Sequence, residues 1–388
     1  MINEKITSPL AKHPNLFQRI VAEINTEIYE EYGISFSYEK ICRKLKLEDL
    51  YFLESVVASA DIAKNGFQRR QDTFEFTRAK WLNSYIACEQ MLNGKFKPRF
   101  YKKRTINERG KQRKIRPPHF DCKVIQKILS NLSLRPTLEH SMIWHNNASI
   151  CGRGTGKLYE DVLKHINRAL KRYGRDGVIV LTDFSGYFAS IDREGLLKER
   201  LSKLIEDKRL VDFVISLDDG EEGLSLGNET SQIPASDFAS PIDHYFKDRL
   251  ALKIYNRYMD DTLAVLKSES EADRYIVLYK KQAEKHKLKL KPEKIKKIRL
   301  GESFVFCKER FVFDGKEYYR LPNPKAVRNI KHKTEIYKNL VKEEKITKGK
   351  AMSDIKGMTN SLEKHPNTRK VVKEIKDMIK DAGFAWWD

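Results

Sequence analysis

The sequence predicts an α+β protein, with a helical amino-terminal region, a mixed centre and a basic helical end. Three observations carry that expectation. Apolar residues recur at helical spacing near the start, first as Ile20, Val21, Ile24 and Ile28 and then as Leu53, Val56, Val57 and Ala60. Val178-Ile179-Val180-Leu181 is a short, wholly apolar, mostly β-branched run between Gly177 and Asp183, as in a strand buried on both faces. From 323 to 388 the chain is Lys-rich at helical period, so strands belong to the middle only.

Each segment is justified in turn. Residues 1–95 read as the helical amino-terminal region. Within 96–177, a hairpin is expected where basic arms flank the turn Asn107-Glu108-Arg109-Gly110 and the second arm stops at Pro117-Pro118. Helices are expected at 120–135 and 156–173, on either side of the Gly-rich stretch Cys151–Lys157. Within 178–320, the apolar strand is followed by helices at 194–217 and 234–251. Then come a strand-turn-strand at 253–267, a charged helix at 269–286, and a β region pairing Ser303–Phe306 with Arg310–Phe313. Residues 321–388 form the closing basic helical part. Asp192, before Arg193-Glu194-Gly195, reads as a helix-start residue.

Composition narrows the class of partner. The 388 residues carry 75 Lys plus Arg against 54 Asp plus Glu, a net charge of +21, which is the footprint of a polyanion-binding protein. Five scattered cysteines have neither disulfide-framework nor zinc spacing. No apolar run reaches the roughly 18 residues of a membrane span, and no signal-peptide core opens the chain. A cytoplasmic protein without a membrane partner is therefore expected.

The sharpest local signal is Tyr258-Met259-Asp260-Asp261 followed by the apolar Leu263-Ala264-Val265. Adjacent carboxylates repel, so a site that keeps both ionised calls for a cation. Asp183 ends the buried strand. If that strand lies beside the 253–267 hairpin, three carboxylates meet at one sheet end, the arrangement that two-metal phosphoryl transfer uses.

Tyr258-Met259-Asp260-Asp261 resembles the YxDD signature of reverse transcriptases, and Thr182-Asp183-Phe184-Ser185-Gly186-Tyr187-Phe188 resembles their first palm motif. The resemblance covers about residues 95–325. It implies a right-hand polymerase with fingers at 96–177, a palm at 178–320 containing inserted fingers helices at 194–235, and a short helical thumb at 321–388. It implies that Asp183, Asp260 and Asp261 are the catalytic, metal-holding acids, with two Mg2+ ions as cofactor and Mn2+ as a substitute. RNA template, DNA product and dNTPs follow as partners, an accessory protein or a second copy of the chain being a further one.

Other positions carry over from the same resemblance. Phe188, five residues past Asp183, matches the steric gate against a 2′-hydroxyl. Leu226, Gly227 and Gln232 fall in the second palm motif, where many reverse transcriptases have Gln, Gly and Pro. In the basic hairpin Arg113, with Lys103 on the facing arm, matches the triphosphate-binding position, and a guanidinium suits phosphate through paired donors. Lys294 matches the lysine of a later palm motif. Gly152–Lys157 lacks the phosphate-loop pattern and is similar to a template-touching segment of bacterial reverse transcriptases, which makes Arg153 a nucleic-acid contact. Lys325, Arg328 and Lys331 would track phosphates from the thumb.

Two cellular roles follow from the resemblance. One is antiphage defence with a dedicated noncoding RNA template, favoured by the helical extension. The other is the mutagenic enzyme of a diversity-generating retroelement, favoured by Leu226 and Gln232. A reading of another class is a catalytically idle nucleic-acid-binding protein; the intact Asp183, Asp260 and Asp261 argue against it.

Overall fold

The computed structural model describes residues 43–50, 53–108, 111–218, 223–363 and 368–380. The apolar positions Ile20, Val21, Ile24 and Ile28 and the turn residues Arg109 and Gly110 lie outside them.

The mixed α+β composition follows the expectation. Helices α1 (Leu53–Ala63), α2 (Gln71–Arg78) and α3 (Lys80–Leu92) come first, and α1 buries Val56, Val57 and Ala60 as its apolar spacing requires. The basic hairpin is β1 (Arg104–Glu108) with β2 (Lys111–Ile115), antiparallel, Ile106 opposite Arg113. Helix α4 (Phe120–Leu129) runs through a wider turn at Ser130–Leu134 into α5 (Arg135–Ser141). It packs against α1 and buries Val124, Ile125 and Ile128.

Helix α6 (Thr155–Tyr173) leads to strand β3 (Val178–Asp183), buried at all six positions. Then come α7 (Tyr187–Ser190), a wide turn Arg193–Leu197, α8 (Lys198–Leu204) and α9 (Lys208–Ser216). Asp192 caps the wide turn, its carboxylate accepting from the Gly195 amide at 3.0 Å, as a helix-start residue should. The expected single helix at 194–217 is thus in pieces: Leu197 donates five residues back to Asp192, and Asp207 starts a new helix by capping Arg209.

Helix α10 (Glu229–Phe238) begins five residues before the expected 234, because Asn228 in extended conformation opens it and Pro234 is carried inside. Helix α11 (Ser240–His244) follows. Strands β4 (Ile254–Tyr258) and β5 (Asp261–Leu266) form the expected hairpin, and α12 (Glu269–Lys285) the charged helix.

Strand β6 (Lys296–Arg299) was not expected, since Lys-Lys-Ile-Arg has no apolar alternation; its pairing with β3, Val178 opposite Arg299, makes it a strand. The sheet order is β4-β5-β3-β6. Strands β7 (Phe304–Phe306) and β8 (Glu309–Phe313) are joined by Cys307-Lys308, both at positive φ, the geometry of a two-residue hairpin turn. The Tyr159 hydroxyl donates to the Cys307 carbonyl at 2.7 Å. Strand β9 (Tyr318–Pro322), also unexpected, completes that second sheet.

Helices α13 (Pro324–Lys342), α14 (Lys348–Glu363) and α15 (Arg369–Lys380) bury Ala351, Ile355, Leu362, Ile375 and Ile379 in a small core of their own.

The chain divides into two compact units. One holds the described residues through Leu158 with Thr182–Thr262 and Arg274–Ile295. The other holds Tyr159–Leu181, Leu263–Asp273 and the described residues from Lys296 onward. Every residue of the candidate site below that is discussed around the aspartates belongs to the first.

Candidate active site

Two contacts fix how the aspartates meet. The Thr182 hydroxyl on β3 bonds the Thr262 hydroxyl on β5, and the Phe184 amide donates to the Asp260 carbonyl at 3.3 Å. One step forward along β3 is thus one step back along β5, as in an antiparallel pair. Asp183 is bracketed opposite Asp261, and directly opposed residues share a face. Asp260 is the next residue, in the two-residue turn between β4 and β5. Asp183 is only 7% exposed, whereas Asp260 and Asp261 are half-buried.

That turn is strained. Met259 has φ +53°, a left-handed conformation uncommon for a non-glycine residue and typical of constrained functional turns. Two side chains bond Met259 directly. Arg257 Nη1 donates to the Met259 carbonyl at 3.1 Å, and the Ser236 hydroxyl reaches the Met259 sulfur at 3.2 Å. Arg257 is in turn fixed by Asp243, both 0% exposed in their side chains, with Nη2 at 2.6 Å and Nε at 2.7 Å from Oδ1. Its Nη2 also donates to the hydroxyls of Tyr255 at 2.9 Å and Tyr279 at 3.0 Å. Burial alone would pull the guanidinium pKa down, but Asp243 beside it holds it well up, so the arginine stays charged. The sequence reading missed this support, although an arginine inside Ile254-Tyr255-Asn256-Arg257-Tyr258, a strand with apolar flanks, is a signal of a paired buried charge.

Positive charge faces Asp183. Lys291 Nζ lies 2.9 Å from its Oδ1, and the expected Lys294 lies farther, 3.8 Å from Oδ2. The Lys291 amide also donates to the Asp183 carbonyl at 3.0 Å. The nearer lysine was therefore missed by a reading that weighed only the motif position.

Three carboxylates are hard oxygen donors of the kind that suits Mg2+. The donor set fits such an ion in chemistry. As the side chains stand, no three His, Cys, Asp or Glu groups converge on one point among the described residues.

The remaining predicted residues fall in several places. Phe188 is half-exposed rather than core, its ring edge-on to that of buried Tyr187. Its carbonyl accepts from the Leu224 amide at 2.8 Å, next to Gly223. Gly223, at φ +73°, has no room for a side chain: a Cβ would come within 2.6 Å of the Ala189 backbone. Leu226 and Gly227 form the turn ahead of α10, Gly227 at φ +102° with no protein atom within 4 Å of a Cβ position. Gln232 is exposed on the first turns of α10, whereas Ser231 turns inward to buried Asp218 at 2.7 Å. Asp218 also accepts from the Ser225 amide at 3.1 Å and so steadies the same turn.

Arg113 is half-exposed on β2, while Lys103 precedes β1 and stands three positions from Ile106, the residue opposite Arg113. The register therefore does not set the two directly opposite each other. Arg153 lies on the Trp144 ring, 4.7 Å from its centre, and donates to the carbonyls of Trp144 at 2.8 Å and Asn146 at 3.0 Å. On α13, Lys325 and Arg328 are exposed, and Lys331 pairs with Glu374 of α15 at 2.6 Å.

No helix among the described residues is long and apolar enough to cross a membrane. No curated protein matches the chain. The family model for reverse transcriptase (RNA-dependent DNA polymerase) matches residues 101–336, a span that contains the hairpin, all three aspartates and the start of α13. With the opposed carboxylates at a sheet end and well over half of its length matched, the chain belongs to the reverse transcriptase family and is an RNA-directed DNA polymerase.

Proposed function

We propose that the chain adds deoxynucleotides to a primer 3′-hydroxyl at Asp183, Asp260 and Asp261, copying a dedicated noncoding RNA, with two Mg2+ ions as cofactor. The observation that carries this reading is the opposition of Asp183 and Asp261 beside a turn strained at Met259 and braced by a buried arginine. When bound, the divalent ions lower the pKa of the attacking hydroxyl and balance the charge of the triphosphate. The chain's own residues do the rest. The carboxylates hold the ions, and Lys291 and Lys294 keep positive charge beside Asp183. The half-exposed Phe188 ring excludes a 2′-hydroxyl, the Gly227 turn admits the nucleotide, and Arg113 offers paired donors to the triphosphate. Lys325 and Arg328, exposed on α13, serve the nucleic-acid backbone.

The cellular role we infer is antiphage defence, supported by the helical region that precedes the matched residues. Phage plating on cells carrying the gene with its flanking DNA tests that role; equal plating with and without the gene contradicts it.

The chemistry is tested by primer extension on an RNA template with purified chain, dNTPs and Mg2+. Asp260→Asn and Asp261→Asn should each reduce incorporation more than about a hundredfold, the several kcal/mol that metal-assisted charge stabilisation supplies. Undiminished incorporation in both would refute the assignment.

A further inference from the structure

Trp144 is the most exposed large apolar side chain among the described residues, at 66%, and yet its surroundings are rigidly built. Arg153 reaches across the loop, lays its guanidinium on the indole at 4.7 Å and donates to the carbonyls of Trp144 and Asn146. The loop itself is closed by the Gly154 amide on the Asn147 carbonyl at 3.0 Å and by Gly152 and Gly154 at φ +75° and +97°. Neighbouring Asn146 is buried, and its side-chain amide donates to the Ser236 carbonyl at 3.0 Å.

The same segment is stitched to the catalytic hairpin. The Arg257 amide donates to the His145 carbonyl at 3.1 Å, the Asn147 amide donates to the Arg257 carbonyl at 3.2 Å, and Asn146 forms a parallel bridge with Arg257. It therefore lines β4 on the edge away from β5. Trp144 stands two residues before that bridge, in the turn Ile143–Asn146, which the Asn146 amide closes by donating to the Ile143 carbonyl at 3.0 Å. The turn that carries Trp144 is thus tied directly to β4, the strand that leads into the carboxylate turn.

We propose that Trp144 is a stacking platform for an unpaired base of the RNA template, held flat by Arg153. This rests on the polymerase reading above. A rigid, solvent-facing indole loses little entropy on stacking and accepts any base, because every base has a π-face. Arg153, already engaged, acts as a positioning residue: its charge backs the ring, and its hydrogen bonds hold the turn that carries the ring.

The test uses the full chain and a short single-stranded RNA labelled for fluorescence anisotropy. Trp144→Ala should weaken binding at least about fivefold, the lower end for loss of one stacked base, and Trp144→Tyr should restore most of it. The salt dependence of binding should keep its slope, because no phosphate contact is lost. In primer extension the KM for template should rise while the KM for dNTP stays constant. Binding by Trp144→Ala equal to wild type would overturn the proposal. So would a Tyr variant as weak as the Ala variant, or a shallower salt slope. Failure of the polymerase reading is seen separately, as incorporation that survives Asp260→Asn and Asp261→Asn.

Discussion

At the scale of single residues, Arg257 links stability to the geometry of the site. Arg257→Met leaves Asp243 buried without its cation, which costs about 3–5 kcal/mol in denaturant unfolding. The double variant Arg257→Met, Asp243→Leu should regain much of that stability, since an apolar pair replaces an ion pair at similar volume. Primer extension should nevertheless stay low, because the Met259 carbonyl has lost its donor; full activity in the double variant would show that the arginine only holds the fold. Gly223 makes a second case. Its positive φ and its contact with the Phe188 and Ala189 backbone predict that Gly223→Ala destabilises by about 1–3 kcal/mol. It should also raise ribonucleotide incorporation, as Phe188→Ala should if the ring is the gate, because the ring would move with its backbone. A Gly223→Ala chain with wild-type stability and sugar selectivity would contradict both steps.

At the scale of elements, α5 and α11 are joined by a titratable contact. His244 lies 2.8 Å from the Ser141 carbonyl through Nε2 and 2.5 Å from Asp248 through Nδ1. Burial lowers its pKa, but the Ser141 carbonyl, Asp248 and nearby Asp243 outweigh that and leave it raised above the ordinary 6.5. A raised folded value means that the contact contributes fully below about pH 6.5 and loses its contribution as pH climbs through the folded pKa. The wild-type melting temperature should therefore fall between about pH 6 and about pH 8 by an amount that His244→Gln lacks. Parallel melting curves for the two chains would contradict it. Most elements were legible where one signal dominated: the apolar run of β3, the turn between β4 and β5, and the spacing of α6 and α12. Strand β6 was illegible because its Lys-rich sequence is a strand only through its partner β3, and the start of α10 because the helix carries Pro234 inside it and opens at Asn228 without a side-chain cap.

At the scale of the whole molecule, a net charge of +21 announced a polyanionic partner, and the family match over 101–336 agrees with it. Charge alone could not say which cations do what. Lys331 is taken up by Glu374, Arg153 by the Trp144 ring, and Lys291 stands nearer to Asp183 than Lys294 does. Side-chain partners are set by residues far away in sequence, so motifs marked the aspartates but not the Arg257 network that supports them. The central claim is that Asp183, Asp260 and Asp261 hold the divalent ions. Electron paramagnetic resonance of Mn2+ added to the full chain with primer, RNA template and dNTP tests it most directly. The wild-type chain should give a bound-ion signal that Asp183→Asn and Asp261→Asn lose; wild-type signal intensity in both variants would contradict the claim.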